Sequence, residues 1–442
     1  MKHAIIVGSG LTGLSAAYRL KKSGWRVTVL EKADRLCGRV ISFEKQGYLI
    51  DGCATSISSN YLSYVALMKE VGLADRITLA SNIFGVVRNG QAHYVNGLTP
   101  VRSFLGTGLM SASEKVRFVR GAIQLRRYMA GATLGDPGPS IRHDHLSIQD
   151  VVQRCFGREL TEMLMDPLMR VVTYGDVQDT SCVELFTGLV SASGRYINVL
   201  GGLETLPRKL AESADAIHLR SPATKVERQG TKVAVTYIDG MANGEQRTEL
   251  ADACIMSCTF PQAAAMCAQL AQEGRALARF DQGAASYVVH LGYAAQTKTQ
   301  QPAAIALPRR EFPRNPGIFL DHNKAPDRAP KGHSLFTVYY CPEAVETVRN
   351  WGEDQTLTDA RALVERFFPE VHGHCDMGNV KFAPYASHIA PVGYFKALGE
   401  FRRAHADDDP IQAGGDYYTL PGQEGAVHWG GRLAERVIRH QR

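Results

Sequence analysis

The first thirteen residues constrain the fold more than any other part of the chain. Ala4-Ile5-Ile6-Val7 runs straight into Gly8-Ser9-Gly10-Leu11-Thr12-Gly13. A short apolar run closed by glycines reads as a buried parallel strand. Leu14-Ser15-Ala16-Ala17-Tyr18-Arg19-Leu20 then carries small or apolar residues at helical spacing, and Gly24 stops that helix. Arg26-Val27-Thr28-Val29-Leu30 is a second strand ending in Glu31. Each part has a task in binding a dinucleotide. Gly8 permits the tight turn, Gly10 lets the backbone approach a pyrophosphate, and Gly13 lets the helix pack closely on the sheet. The helix N-terminus, through Leu11 and Thr12, offers free N–H groups and the positive end of its dipole to phosphate. Glu31 stands where a carboxylate accepts ribose hydroxyls, and its charge disfavours a 2′-phosphate.

Length and composition narrow the class. The chain has 442 residues, which suits two interleaved domains better than one core. A net charge of +6 is mild for this size, and no basic stripe with interleaved aromatics points to nucleic acid. The nine cysteines show no CxxC pair and fit a reducing compartment. His372, His374 and Cys375 read as a polar turn, so no metal is expected. No signal peptide precedes the first strand, and no apolar run approaches the ~18 residues that span a bilayer. The expected location is the cytoplasm.

The segment after Glu31 separates two nucleotide classes. Lys32-Ala33-Asp34-Arg35-Leu36-Cys37-Gly38-Arg39-Val40 passes into a second glycine turn followed by arginine. This turn resembles the second FAD motif of the amine oxidase, protoporphyrinogen oxidase and phytoene desaturase superfamily, with Cys37 in place of the usual first glycine. Further segments resemble the same superfamily: Gly47-Tyr48-Leu49-Ile50-Asp51, Gly201-Gly202-Leu203, Ala223–Glu227 and Ala251–Pro261. The most specific match is C-terminal, where Ala413-Gly414-Gly415-Asp416 precedes Glu424-Gly425-Ala426-Val427 and a helix to about Arg439. In that helix Ala426, Gly430, Leu433 and Val437 share one face.

The resemblance implies an α/β fold: a Rossmann-type FAD-binding domain with an inserted substrate domain of antiparallel sheet and helical cap. It implies a discontinuous FAD domain of residues 1–75, 200–272 and 385–442, and a substrate domain of 76–199 and 273–384. It also implies that Val226 meets adenine through its backbone, and that Cys258 lies where a strand returns to the flavin. Asp416 is implied to hold a ribityl hydroxyl, while Gly425 to Val427 give amides to the ring edge or phosphate. With no cysteine between 385 and 416 to form the flavin link seen in some members, the FAD is expected to be non-covalent.

Within the superfamily, Phe156–Glu159, Asp166-Pro167-Leu168 and Tyr174-Gly175-Asp176 resemble the protoporphyrinogen oxidase branch. Three residues depart from the better-known activities. Ile83 replaces the basic partner of a propionate, Tyr287 replaces the lysine of many amine oxidases, and Gly422 replaces one aromatic wall of their amine cage. The expected reaction is therefore hydride transfer from a small, mostly apolar, cyclic metabolite to flavin. Protoporphyrinogen oxidase-like or amine oxidase activity, or a flavoprotein without redox turnover, are the alternatives.

His388, Tyr287 and Tyr418 are the expected catalytic residues, from a wall that also includes Tyr174, Tyr339, Tyr417 and His428. Ser147 is expected to cap a helix, and Ser286–Tyr293 and Ser334–Tyr340 to form strands. The stretches 135–139 and 326–332 read as surface loops. The segment 115–128 is basic and amphipathic; a cap helix with its apolar face inward is preferred over lipid contact.

Overall fold

A computed structural model describes residues 1–442 apart from 53–55, 174, 241–243, 281, 299–301, 420–421 and 441–442. Five parallel strands form one sheet, in the order Ala216–His218, Arg26–Leu30, His3–Val7, Ala253–Met256 and Ile411–Ala413. Successive side chains on a strand point to opposite faces. Ala4 and Ile6 accordingly join Ala16, Leu20, Leu433 and Val437 in one core, beneath the helices Leu11–Lys22 and Gln423–His440. Ile5 and Val7 face the other way, toward Val226, Val235, Phe260 and Phe395. This is the α/β arrangement expected from the first strand and turn.

A second sheet has seven strands, ordered Cys375–Ile389, Gln282–Tyr293, Ser334–Tyr339, Gly317–Leu320, Ala304–Ala306, Ile83–Arg88 and Gln91–Asn96. Its pairings are antiparallel except where Ala304–Ala306 runs parallel to Ile83–Arg88. Both strands expected here are present. The helices Ala112–Tyr128, Ile148–Phe156 and Cys182–Ala192 pack into a cap. Ser147 begins the second of these with a capping box: its hydroxyl accepts from the Asp150 amide at 3.1 Å, and Asp150 accepts from the Ser147 amide at 3.0 Å. Among the described residues no helix is long and apolar enough to cross a membrane. In the basic helix Ala112–Tyr128, Phe118, Gly121 and Leu125 turn inward, while Val116 and Ile123 are exposed.

One expectation needs correction. The stretch 326–332 is not a simple surface loop, because Arg328 within it is 1% exposed. Its guanidinium reaches Asp51 at 3.0 Å, and also Asp327, Asn198 and the Val199 carbonyl. A buried cation is tolerated when it is paired and hydrogen-bonded on every side, a context that loop composition does not reveal.

Candidate active site

A continuous cavity of about 1110 Å³ runs from the carboxyl ends of the parallel strands to the face of the second sheet, under the cap. The open end of a parallel sheet is where such folds bind ligands. Strand order fixes the sequence of its walls. Glu31 follows the second strand, Gly10 to Thr12 follow the first, Cys258 follows the strand Ala253–Met256, and Gly415 with Asp416 follow Ile411–Ala413.

The glycine turn is shaped as its sequence requires. Gly8 has φ of 101°, in the left-handed region. A side chain at Gly13 would stand 2.2 Å from the Gly8 carbonyl oxygen, whereas at Gly10 it would meet nothing within 4 Å. Gly10 thus borders open cavity, and Leu11 and Thr12 line it at the helix N-terminus, which no side chain caps. The fit to a pyrophosphate is good. Ser9 lies behind the wall, donating from its amide (2.9 Å) and hydroxyl (2.6 Å) to one Glu31 oxygen, while the Ala33 amide donates to the other at 2.8 Å. These bonds aim the carboxylate, and Glu31 and Lys32 both line the cavity.

The second turn takes the expected course at a cost. Cys37 adopts φ of 75° and Gly38 φ of 57°. A left-handed cysteine is strained by roughly 1 kcal/mol, and burial pushes its thiol up to about 12. The turn delivers Arg39 and Val40 to the cavity. Arg39 donates to both Asp416 oxygens, at 2.7 and 2.8 Å, tying two cavity-lining residues 377 positions apart.

Other expected cofactor contacts divide. Cys258, Gly415, Asp416 and Ala426 line the cavity. Val226 does not: it is buried in the core, and Pro222 and Ala223 form that wall instead. Glu424 turns away, its two oxygens accepting from the Ser63 and Tyr64 amides at 2.9 Å each, where a carboxylate suits the N-terminus of the helix Leu62–Glu70. Gly425 and Val427 are buried and do not line the cavity, and Val427 packs with Ala426 in the core.

The expected catalytic trio is not brought together. Tyr418 is buried and donates to the Ala413 carbonyl at 2.6 Å, a structural bond. Tyr287 packs against Phe382, with ring centroids 5.0 Å apart, outside the cavity. His388 faces a void of about 10 Å³ behind the wall, beside Tyr394 and Tyr417. Burial holds its imidazole down at about 4, so it is neutral at pH 7. Its Nδ1 lies 3.3 Å from the Tyr385 hydroxyl. Of the wider wall, Tyr417 lines the cavity, Tyr339 and His428 do not, and Tyr174 lies outside the described residues.

Residues absent from that expectation form the rest of the site. Tyr385 and Ser387 line the cavity from the strand Cys375–Ile389, whose register against its neighbour shifts between Ala284 and Ser286. A bulge there re-aims side chains, and sequence pattern does not show where it falls. Tyr385 occupies the space beside Gly283, where a side chain would come within 2.1 Å of the ring, and the Arg39 guanidinium sits 5.3 Å from its centroid. Beyond it the cavity is walled by Phe84, Phe104, Met165, Met169, Tyr196 and Phe319, with small polar groups such as Asn96 and Ser191. The charged residues lining the cavity among those described are Glu31, Lys32, Arg39 and Asp416, all at the end beside the parallel strands.

Residues 11–438 match the family described as flavin containing amine oxidoreductase. Similar relatives include the coproporphyrinogen III oxidase of Bacillus subtilis (strain 168), 27% identical over 218 residues that cover 46% of this chain and 43% of that protein. The mitochondrial protoporphyrinogen oxidase of Nicotiana tabacum is 24% identical over 245 residues, 54% of this chain and 45% of its own length. The chain thus spans about half the length of the curated relatives it matches. Among solved structures, the cyclohexylamine oxidase from Brevibacterium oxydans IH-35A superposes with a TM-score of 0.76 at 16% identity, covering 100% of both chains, a likeness of fold.

Proposed function

Since this chain belongs to the flavin containing amine oxidoreductase family, we propose that it binds FAD non-covalently and oxidises a small, neutral, mostly apolar cyclic compound. Residues 1–75, 200–272 and 385–442 would form the FAD domain, and 76–199 with 273–384 the substrate domain. Gly10, Leu11 and Thr12 would hold the pyrophosphate, Glu31 the ribose, and Arg39 with Asp416 the polar chain toward the ring. Bound there, the flavin supplies a hydride acceptor. Among the described residues the thiols that line the cavity are Cys37 and Cys258, both pushed up to about 12 by burial. Protonated thiols are poor nucleophiles, which favours a dissociable cofactor.

One observation carries the substrate reading: no charged side chain lines the substrate half, among the described residues. Arg88, Arg102 and Arg195, the nearby cations in sequence, are not in the wall. Arg88 is instead engaged by Glu114, Glu159 and the Leu109 carbonyl. Burying a carboxylate or ammonium without a partner costs several kcal/mol, so the porphyrinogens and amines in the relatives' names suit this cavity less well than neutral compounds. The chain's contribution is orientation and exclusion of water by apolar walls. Anaerobic mixing of the yellow holoprotein with cyclic ketones, alcohols, amines and protoporphyrinogen tests this. Bleaching by a neutral cyclic compound is expected. Fast bleaching by protoporphyrinogen or an amine alone would overturn it, and no bleaching by any would point to a flavoprotein without redox turnover.

A further inference from the structure

The substrate half contains a feature narrower than its general apolarity. In the second sheet Ala304 is paired on one side with Phe84 and on the other with Phe319. Residues in register across neighbouring strands project from the same face, and all three line the cavity. The intervening Ile305 points the opposite way into the core. A methyl group therefore stands between two phenyl rings. Two strand spacings separate their backbones by about 9.6 Å, so a ring above Ala304 would lie about 4.8 Å from each. That falls within the 4.5–7 Å over which aromatic rings attract one another.

Both rings are held by neighbouring side chains. Tyr196 meets Phe84 edge-on at 4.9 Å, and a side chain at Gly97 would stand 3.2 Å from the Phe84 ring. Tyr339 meets Phe319 edge-on at 5.2 Å, and the buried Lys324 ammonium lies 4.3 Å from its centroid. In the next row along the sheet, Val86, Ala306 and Gly317, the space above Gly317 is taken by Val171. The gap over Ala304 is thus bounded on three sides, and Met165 and Met169 line the cavity with it. Thioethers pack well against aromatic rings.

We propose that Phe84, Ala304 and Phe319 form a slot selecting a flat, unsaturated, uncharged ring in the substrate. This rests on the oxidase reading of the same cavity and names a shape within it. A puckered saturated ring is thicker and offers no π-face, so it gains neither contact.

Equilibrium dialysis of the flavin-loaded protein against 2-naphthol and decahydro-2-naphthol, which share a skeleton and a hydroxyl, tests the slot. The two aromatic contacts predict that naphthol binds about tenfold more tightly. Ala304→Leu fills the gap and should remove that preference, whereas Ala304→Ser leaves the gap and should retain it. Phe84→Leu and Phe319→Leu should each reduce it. Equal binding of the two alcohols by the unsubstituted protein, or an unchanged preference in Ala304→Leu, would overturn the slot. Dialysis counts ligand whether or not flavin is bound, and absorbance of the same samples gives flavin content. A protein that takes up no flavin defeats the oxidase reading, while a flavin-loaded protein indifferent to flatness defeats the slot alone.

Discussion

In the proposed nucleotide site, Glu31 and Gly10 are the two positions whose substitution is most telling. Glu31 is aimed by three donors from Ser9 and Ala33, leaving its remaining lone pairs toward the cavity it lines. Glu31→Ala should weaken FAD binding by about 1–3 kcal/mol, the scale of hydrogen bonds to a charged acceptor. Gly10→Val should be worse, because the free space beside Gly10 is the space a phosphate would need. Titration of each apoprotein with FAD reads both, and unaltered binding in both would place the nucleotide elsewhere. That these residues border the cavity was legible from order alone, since a turn glycine and a strand-end acid act locally. Cys37 was legible as a departure, but its left-handed φ of 75° is imposed by the turn around it.

At the level of elements, the contact between the helices Leu11–Lys22 and Gln423–His440 depends on Gly430. A side chain there would stand 2.4 Å from the Thr12 carbonyl oxygen and 2.8 Å from the Ser15 Cβ. Gly430→Ala should therefore destabilise by about 1–3 kcal/mol, the usual cost of overpacking. Because both helices begin at the cavity, it should also reduce flavin retention; urea denaturation and flavin content check the two effects. The helical face holding Gly430, Leu433 and Val437 could be read from period alone. The strand ending near Ile389 could not. Tyr385, Ala386 and Ser387 line the cavity while His388 next to them borders the void behind, a change of side that the bulge sets and local pattern does not show.

For the molecule as a whole, the join between cap and sheet contains a buried acid. Glu184 is fully buried, one oxygen accepting from the Ala390 amide at 2.9 Å and the other unpartnered. Burial raises its carboxyl to about 8. The folded protein then keeps this proton between about pH 4.5 and 8 while the unfolded chain loses it, so stability falls as pH rises through that window, by at most about 4–5 kcal/mol. His388 works in the other direction: its lowered value makes folding lose stability as pH falls from about 6.5 toward 4. Glu184→Gln should flatten the alkaline side of the profile, and denaturant midpoints between pH 5 and pH 8 would show it. An equal slope in the variant would mean the acid is already ionised in the fold.

Sequence alone determined the glycine turn, helix and acid at the end of the cavity proposed for the nucleotide, because they are close along the chain and each has one backbone task. It also set the α/β class and the amphipathic C-terminal helix. Tertiary structure decided the far end of the cavity, where Phe84, Ala304 and Phe319 meet only through strand pairing across more than 200 residues of chain. It likewise decided that Tyr287 and Tyr418 stand off the cavity and that Glu424 caps a helix. Those outcomes depend on register, on bulges and on which side of a wall a side chain falls, and these are fixed by packing between distant segments rather than by local pattern.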